Sequence, residues 1–264
     1  MSDIRQPAVA GMFYPEKPAE LQQVIESLLQ AAPHPVTEHP KALIEPHAGY
    51  IYSGSTAAQA FSTLQHQADS IRRVVMLGPS HRVGFRGIAF CSADYYRTPL
   101  GDVPVDQSAF VAISNLPNVG MLDRAHTQEH CLEVQLPFLQ MVLHDFSVVP
   151  LVVGDVDYDD VARVLEKLWG GDETLILISS DLSHYHDYET ASQLDAQTCA
   201  AIERCQPDAI GDEQACGRIP VKGLLAIARR KHMQIDTLAL CNSGDTAGDR
   251  SRVVGYGAWA FYEH

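Results

Sequence analysis

The chain has 264 residues, with 19 Lys and Arg against 33 Asp and Glu, for a net charge of −14 with His neutral. Its basic residues are scattered, which argues against a nucleic-acid surface, since phosphate binding needs clustered cations. With 46% apolar and 20% charged residues the composition is globular. The densest apolar runs, 148–153 and 175–178, are far too short to span a bilayer. The opening Met1-Ser2-Asp3-Ile4-Arg5 lacks the apolar stretch of a signal peptide, so a cytoplasmic protein that avoids membranes is expected. The six cysteines, Cys91, Cys131, Cys199, Cys205, Cys216 and Cys241, show no CxxC spacing and read as free, mostly buried thiols.

Taken along the chain, short apolar runs alternate with amphipathic stretches. The run 41–45 predicts a strand and 55–64 a helix, with Ala57, Ala60, Phe61 and Leu64 on one face. Strands follow at 73–77 and 87–90, then a helix over 106–115. Residues 129–143 predict a helix interrupted or bent near Pro137. A strand at 147–153, a helix over 159–168 and a strand at 174–178 come next. Helices over 188–205 and 220–232 and strands at 236–240 and 253–262 close the chain. Strands that are continuous Val/Ile/Leu runs separated by helices predict an α/β fold. The expected form is one three-layer α/β/α domain over 1–264, built on a mostly parallel or mixed sheet.

The positions of the twelve histidines carry the chemistry. His47, His81 and His184 each fall just past the carboxyl end of a predicted buried strand, as do Asp181 and the segment Cys241-Asn242-Ser243 with Asp245. In an open α/β sheet those ends form the ligand crevice. Two imidazoles and a carboxylate make an open Fe(II) site, whereas three His, or His with Cys, suit zinc. A further imidazole outside the metal's ligands can act as a general base near neutral pH. Asp181 either orients His184 or caps the next helix. A second cluster, His126, Glu129, His130 and Glu133, is not an HExxH motif and reads as pocket lining. His34, His39, His66, His144, His232 and His264 read as incidental.

The segment Pro46-His47-Ala48-Gly49-Tyr50-Ile51-Tyr52-Ser53-Gly54 resembles the Memo family. Matching segments follow in order: 77–81 (LGPSH), 96–100 (YRTPL), 129–133 (EHCLE), 179–184 (SSDLSH) and 216–218 (CGR). The resemblance spans about residues 5–261 and is strongest to the prokaryotic AmmeMemoRadiSam branch, named for co-occurrence with an AMMECR-type and a radical SAM protein. It implies a functional link to such proteins and a fold similar to the LigB-like class III extradiol dioxygenases. By motif position His47 and His81 resemble metal ligands, and His184, with Asp181, the catalytic group. Tyr50, Ser80, Glu129 and His130 are expected to contact substrate. The third ligand falls near the C-terminus, where Asp245 is the expected carboxylate and Cys241 and Thr246 are the neighbours. Fe(II) is the expected cofactor, with zinc or copper as alternatives, and the partner a small-molecule or peptide ligand. The expected function is a metal-dependent, dioxygenase-like oxidoreductase. The alternatives are a non-catalytic metal- or peptide-binding module and a zinc-dependent hydrolase.

Overall fold

A computed structural model describes residues 2–32 and 39–263; His34 and His264 lie outside the described residues. The chain runs through β1 (Ile4–Arg5), α1 (Pro18–Ala31), β2 (Ala42–Glu45), α2 (Tyr50–Ser62), β3 (Arg73–Pro79), β4 (Ile88–Phe90), β5 (Tyr95–Thr98) and β6 (Gly101–Pro104). It continues through α3 (Gln107–Ile113), β7 (Val119–Met121), α4 (Asp123–Thr127), α5 (Leu136–Val142), β8 (Ser147–Val153), α6 (Tyr158–Leu168) and β9 (Thr174–Ser179). The last elements are β10 (His184–His186), α7 (Tyr188–Glu203), α8 (Arg218–Lys231), β11 (Gln234–Asn242) and β12 (Val253–Tyr262).

The main sheet has the order β10-β12-β2-β9-β3-β8-β4-β7, with β11 also paired to β12. Its centre, β2-β9-β3-β8, is parallel; β12 joins β2, and β4 joins β8, antiparallel. The fold is therefore α/β with a mixed sheet, as the alternating pattern predicts. Every residue of β2 and β9 is buried, because helices cover the sheet and a strand covered on both faces carries no polar alternation. On one side α1, α2 and α5 pack together; α3 and α8 pack on α6, and α7 packs on β11 and β12. A small second sheet, β1-β5-β6, lies apart from these runs. No helix among the described residues is long and apolar enough to cross a membrane.

One expected element differs. Residues 129–132 are not helical: a 3-10 turn over Glu133–Gln135 leads into α5, which starts at Leu136 with Pro137 in its first turn. Proline has no N–H to donate and a φ already set for a helix start, so it opens this helix rather than bending one already under way. With 128–132 free of helical geometry between α4 and the 3-10 turn, the segment 126–133 turns its side chains in different directions.

Glu133 is the anchor of that segment. Its carboxylate is fully buried and accepts from the Arg5 guanidinium, the Ala8 N–H (2.7 Å), the Val9 N–H (3.0 Å) and the Tyr14 hydroxyl (2.6 Å). Arg5 also donates to the carbonyls of His126 and Glu129. The amino-terminal strand and the 126–133 segment are thus one polar assembly. Within it, His126 Nε2–H donates to Ala89 O (3.0 Å), leaving Nδ1 to accept from the Tyr96 hydroxyl (2.7 Å).

Two outcomes follow from these contacts. Glu133→Ala leaves the Arg5 charge buried without its partner and is expected to cost about 3–5 kcal/mol of stability, read from urea denaturation. Burial holds the His126 imidazole neutral, lowering its pKa to about 4. The unfolded chain binds that proton near pH 6.5, so between about pH 6.5 and 4 the unfolded state carries more protons and stability falls as pH falls. In His126→Phe the decline in urea midpoint over that range is expected to be shallower than in the wild type.

Candidate metal centre

Three neighbouring parallel strands end in register. β2 ends at Glu45, β9 at Ser179 and β3 at Pro79, and two residues beyond each lie His47, Asp181 and His81. The sheet thereby delivers three polar groups from segments far apart in sequence to one crevice of about 590 Å3. His130 and His184 also line it. The rings of His47, His81 and His130 lie 4.7–5.5 Å apart, centroid to centroid. A hollow of similar size at the opposite, amino ends of the strands includes Lys41, whose amine is tied to the carbonyls of Gly171 and Thr174. The histidine cluster, and not the volume, distinguishes the first.

The proton positions on the three strand-end histidines follow from their partners. Ser179 Oγ donates to Cys131 O (2.7 Å) and so accepts from His47 Nδ1–H (2.9 Å). His81 Nδ1–H donates to Glu129 Oε1 (2.9 Å), and His184 Nδ1–H to Leu182 O (2.8 Å). Each ring therefore commits its Nδ1–H to an outer partner and leaves Nε2 as its other nitrogen, the arrangement outer partners impose on metal-binding or basic histidines. Burial, with the nearby His81, holds His47 well below the usual imidazole range, so it is neutral.

Glu129 serves His81 rather than the cleft. Its oxygens accept the His81 N–H (2.6 Å) and ring, together with the N–H groups of His130 (2.9 Å) and Cys131 (3.1 Å). Burial pushes its carboxyl up, but these hydrogen bonds prevail and hold it at about 2. Asp181 Oδ1 accepts the His47 N–H (2.8 Å), and Oδ2 lies 3.9 Å from His47 Nε2. Burial raises its pKa. It is not a helix cap, since Asp187 caps α7. Beneath His47, both Glu45 carboxyl oxygens are buried without a hydrogen-bond partner among the described residues, and burial pushes the group well above the usual carboxylate range.

The sulfur of Cys216 completes the cluster, 3.3 Å from His47 Nε2. One ligand atom each from His47, His81 and Cys216 lie within 4.8 Å of one another, as do atoms of His81, Glu129 and His130. The first set suits a metal better, because the Glu129 oxygens are already engaged by four donors. Burial, then the nearby Asp181, pushes the Cys216 thiol up; a bound cation would favour the thiolate. The donor set, two imidazoles and a thiol with a buried carboxyl beside them, fits a transition metal. Gly217 makes this placement feasible: a Cβ there would lie 2.7–2.8 Å from Ser180 side-chain atoms and the Ser179 carbonyl.

Other expected residues lie elsewhere. Asp245 accepts the Tyr188 hydroxyl (2.7 Å) and the Asn242 N–H (3.0 Å), closing a capping box outside the cluster. Cys241 faces Thr56 Oγ1 at 3.1 Å. Tyr50 is buried on α2, donating to Val134 O (2.7 Å), while Tyr52, on another face of the helix, lines the cleft. The Ser80 hydroxyl donates to Val83 O (2.7 Å) and shapes the turn holding His81. Cys216 carried a signal, the Cys-Gly-Arg segment, but no strand end pointed to it. Met12, Phe13, Arg252 and Tyr256 also line the cleft and had none.

A family model described as Memo-like protein matches residues 5–260. The chain is 36% identical to a MEMO1 family protein of Aquifex aeolicus, over 96% of this chain and 97% of that one. It is 36% identical to one of Aeropyrum pernix (97% and 98%) and 35% identical to one of Thermotoga maritima (96% and 97%). The motifs around His47, His81, His130, His184 and Cys216 lie within the matched span, and with identity above 30% across nearly the full length of each relative, this chain belongs to the Memo family.

Proposed function

We propose that this Memo-family chain binds one transition-metal ion through His47, His81 and Cys216 and uses it to transform a small molecule in the open cleft, as a non-haem, dioxygenase-like oxidoreductase. The observation that carries the reading is the cluster itself: one ring nitrogen each from His47 and His81 and the Cys216 sulfur converge within 4.8 Å beside a crevice open to a ligand. Iron is the first candidate. A bound ferrous ion would supply an electron source and an open position for a chelating substrate.

The chain's own residues do the rest. Ser179 and Glu129 fix the two ligand rings so that Nε2 faces the cleft. His184 Nε2 accepts a proton from the substrate, while its Nδ1–H stays on Leu182 O. Asp181 holds the His47 backbone in place through its Oδ1, and burial raises its carboxyl above the ordinary value. His130 and Phe13 close one wall, their rings 4.8 Å apart. The Cys216 sulfur favours a second reading, a zinc-dependent hydrolase, because thiolate and imidazole are zinc donors.

Anaerobic reconstitution with Fe(II), Zn(II) and Cu(I), followed by metal analysis, tests the assignment. Stoichiometric metal is expected in the wild type and none in His47→Ala/His81→Ala; unchanged metal in that double variant would falsify the site. Glu129→Gln is expected to weaken metal affinity about 10- to 100-fold through loss of ring orientation. Oxygen uptake with a catechol and small-metabolite panel, lost in His184→Ala with metal retained, is expected for the oxidoreductase. Zinc retention with ester hydrolysis and no oxygen uptake would replace it with the hydrolase.

A further inference from the structure

The mouth of the cleft carries two features the metal cluster does not need. The first is Tyr185, the middle residue of β10. The β10–β12 register slips between His184 and His186, so Tyr185 is extruded as a bulge, with φ at +63° and the residue 64% exposed. A bulky non-glycine residue in the left-handed region is costly, and such strain concentrates at functional sites. The bulge also re-aims the neighbouring His184, whose ring lies 5.8 Å from that of Tyr185.

The second feature is Arg252. Its guanidinium lies over the Tyr185 ring, 5.1 Å from the centroid, and meets no carboxylate within ion-pair distance among the described residues. It is the one Lys or Arg among the described residues lining the cleft. Two acidic residues line it as well. Asp181 Oδ1 is taken by the His47 N–H (2.8 Å). Asp249 is anionic, with one oxygen accepting the Ser251 N–H (2.6 Å), yet it does not pair with Arg252. An unpaired guanidinium held against an aromatic face at the entrance of a cleft, in a chain of net charge −14, is a built anion contact.

We propose that Arg252, braced on Tyr185, receives the carboxylate of a small planar organic acid whose other end lies over the Nε2 atoms of the histidine cluster. A single planar guanidinium matches a carboxylate by two parallel hydrogen bonds. A phosphate dianion beside Asp249 would face one cation and one anion. Phe13, Tyr52 and Tyr256 supply apolar and aromatic walls suited to a planar body. Only the placement of the far end rests on the metal reading; the Arg252 contact stands independently.

The test uses 4-hydroxybenzoate and its uncharged counterpart 4-hydroxybenzamide, titrated calorimetrically at low ionic strength into the full chain. Wild type, Arg252→Met and Arg252→Lys are each measured chelator-treated and Fe(II)-loaded. The wild type is expected to prefer the acid about tenfold or more. Arg252→Met loses that preference, Arg252→Lys keeps part of it, and metal content is the same in all three. Equal binding of acid and amide, no binding of either, or a preference that survives in Arg252→Met overturns the proposal. If the acid preference holds in chelator-treated protein but no metal reloads, the anchor stands and the metal reading fails. Metal retained without the preference is the reverse.

Discussion

The candidate site depends on the parallel register of β2, β9 and β3. Because Glu45 pairs with Ser179, and Ile178 with Leu77, the three strands stop at nearly one level and their next residues but one meet. A one-residue slip would turn each side chain to the other face of its strand and scatter the cluster. Full burial of these strands enforces the register, since any slip would bring the polar residues flanking them into the core.

A second constraint works from the other side. The segment 126–133 must carry Glu129 to His81, His130 to the cleft wall and Glu133 to the amino-terminal strand. A helix could not do this, because positions 129, 130 and 133 would be held at fixed angles on one cylinder. The irregular backbone is held instead by the Arg5 guanidinium on the His126 and Glu129 carbonyls. Residues more than a hundred positions apart in sequence thus share one buried network, and metal-site geometry draws on the folding of the amino-terminal strand.

This division explains what the sequence revealed. The central strands were legible because Val, Ile and Leu runs such as 73–77 and 174–178 are what double-sided burial selects. His47 and His81 were legible because each follows such a run. Of the helix expected over 129–143, interrupted or bent near Pro137, only the part from Leu136 is α-helical, because the polar residues before it are claimed by tertiary partners that local periodicity does not register. β1 has two residues and forms only by pairing with β5 at long range, while β5 and β6 make a short local hairpin. Cys216 escaped assignment because it precedes α8 rather than following a strand, and only the close approach permitted by Gly217 brings it in. Asp245, expected as a ligand, resembled one in residue type, yet one of its oxygens is taken by the Tyr188 hydroxyl and the other by the Asn242 N–H of its own turn.

The polarity of the sheet divides the molecule into two ends with different histories open to them. All the groups argued to do chemistry gather where β2, β9 and β3 finish. The turns leading into β3, β8 and β9, around Ser70, Asp145 and Asp172, are exposed and gather at the other end. Sequence change and insertion in those turns leave the cluster untouched, while the same change after β2, β3 or β9 displaces a ligand. Relatives of this chain can therefore diverge in length and surface at one pole while the other stays fixed, so an added tag or fused domain is best tolerated at the pole of those entering turns.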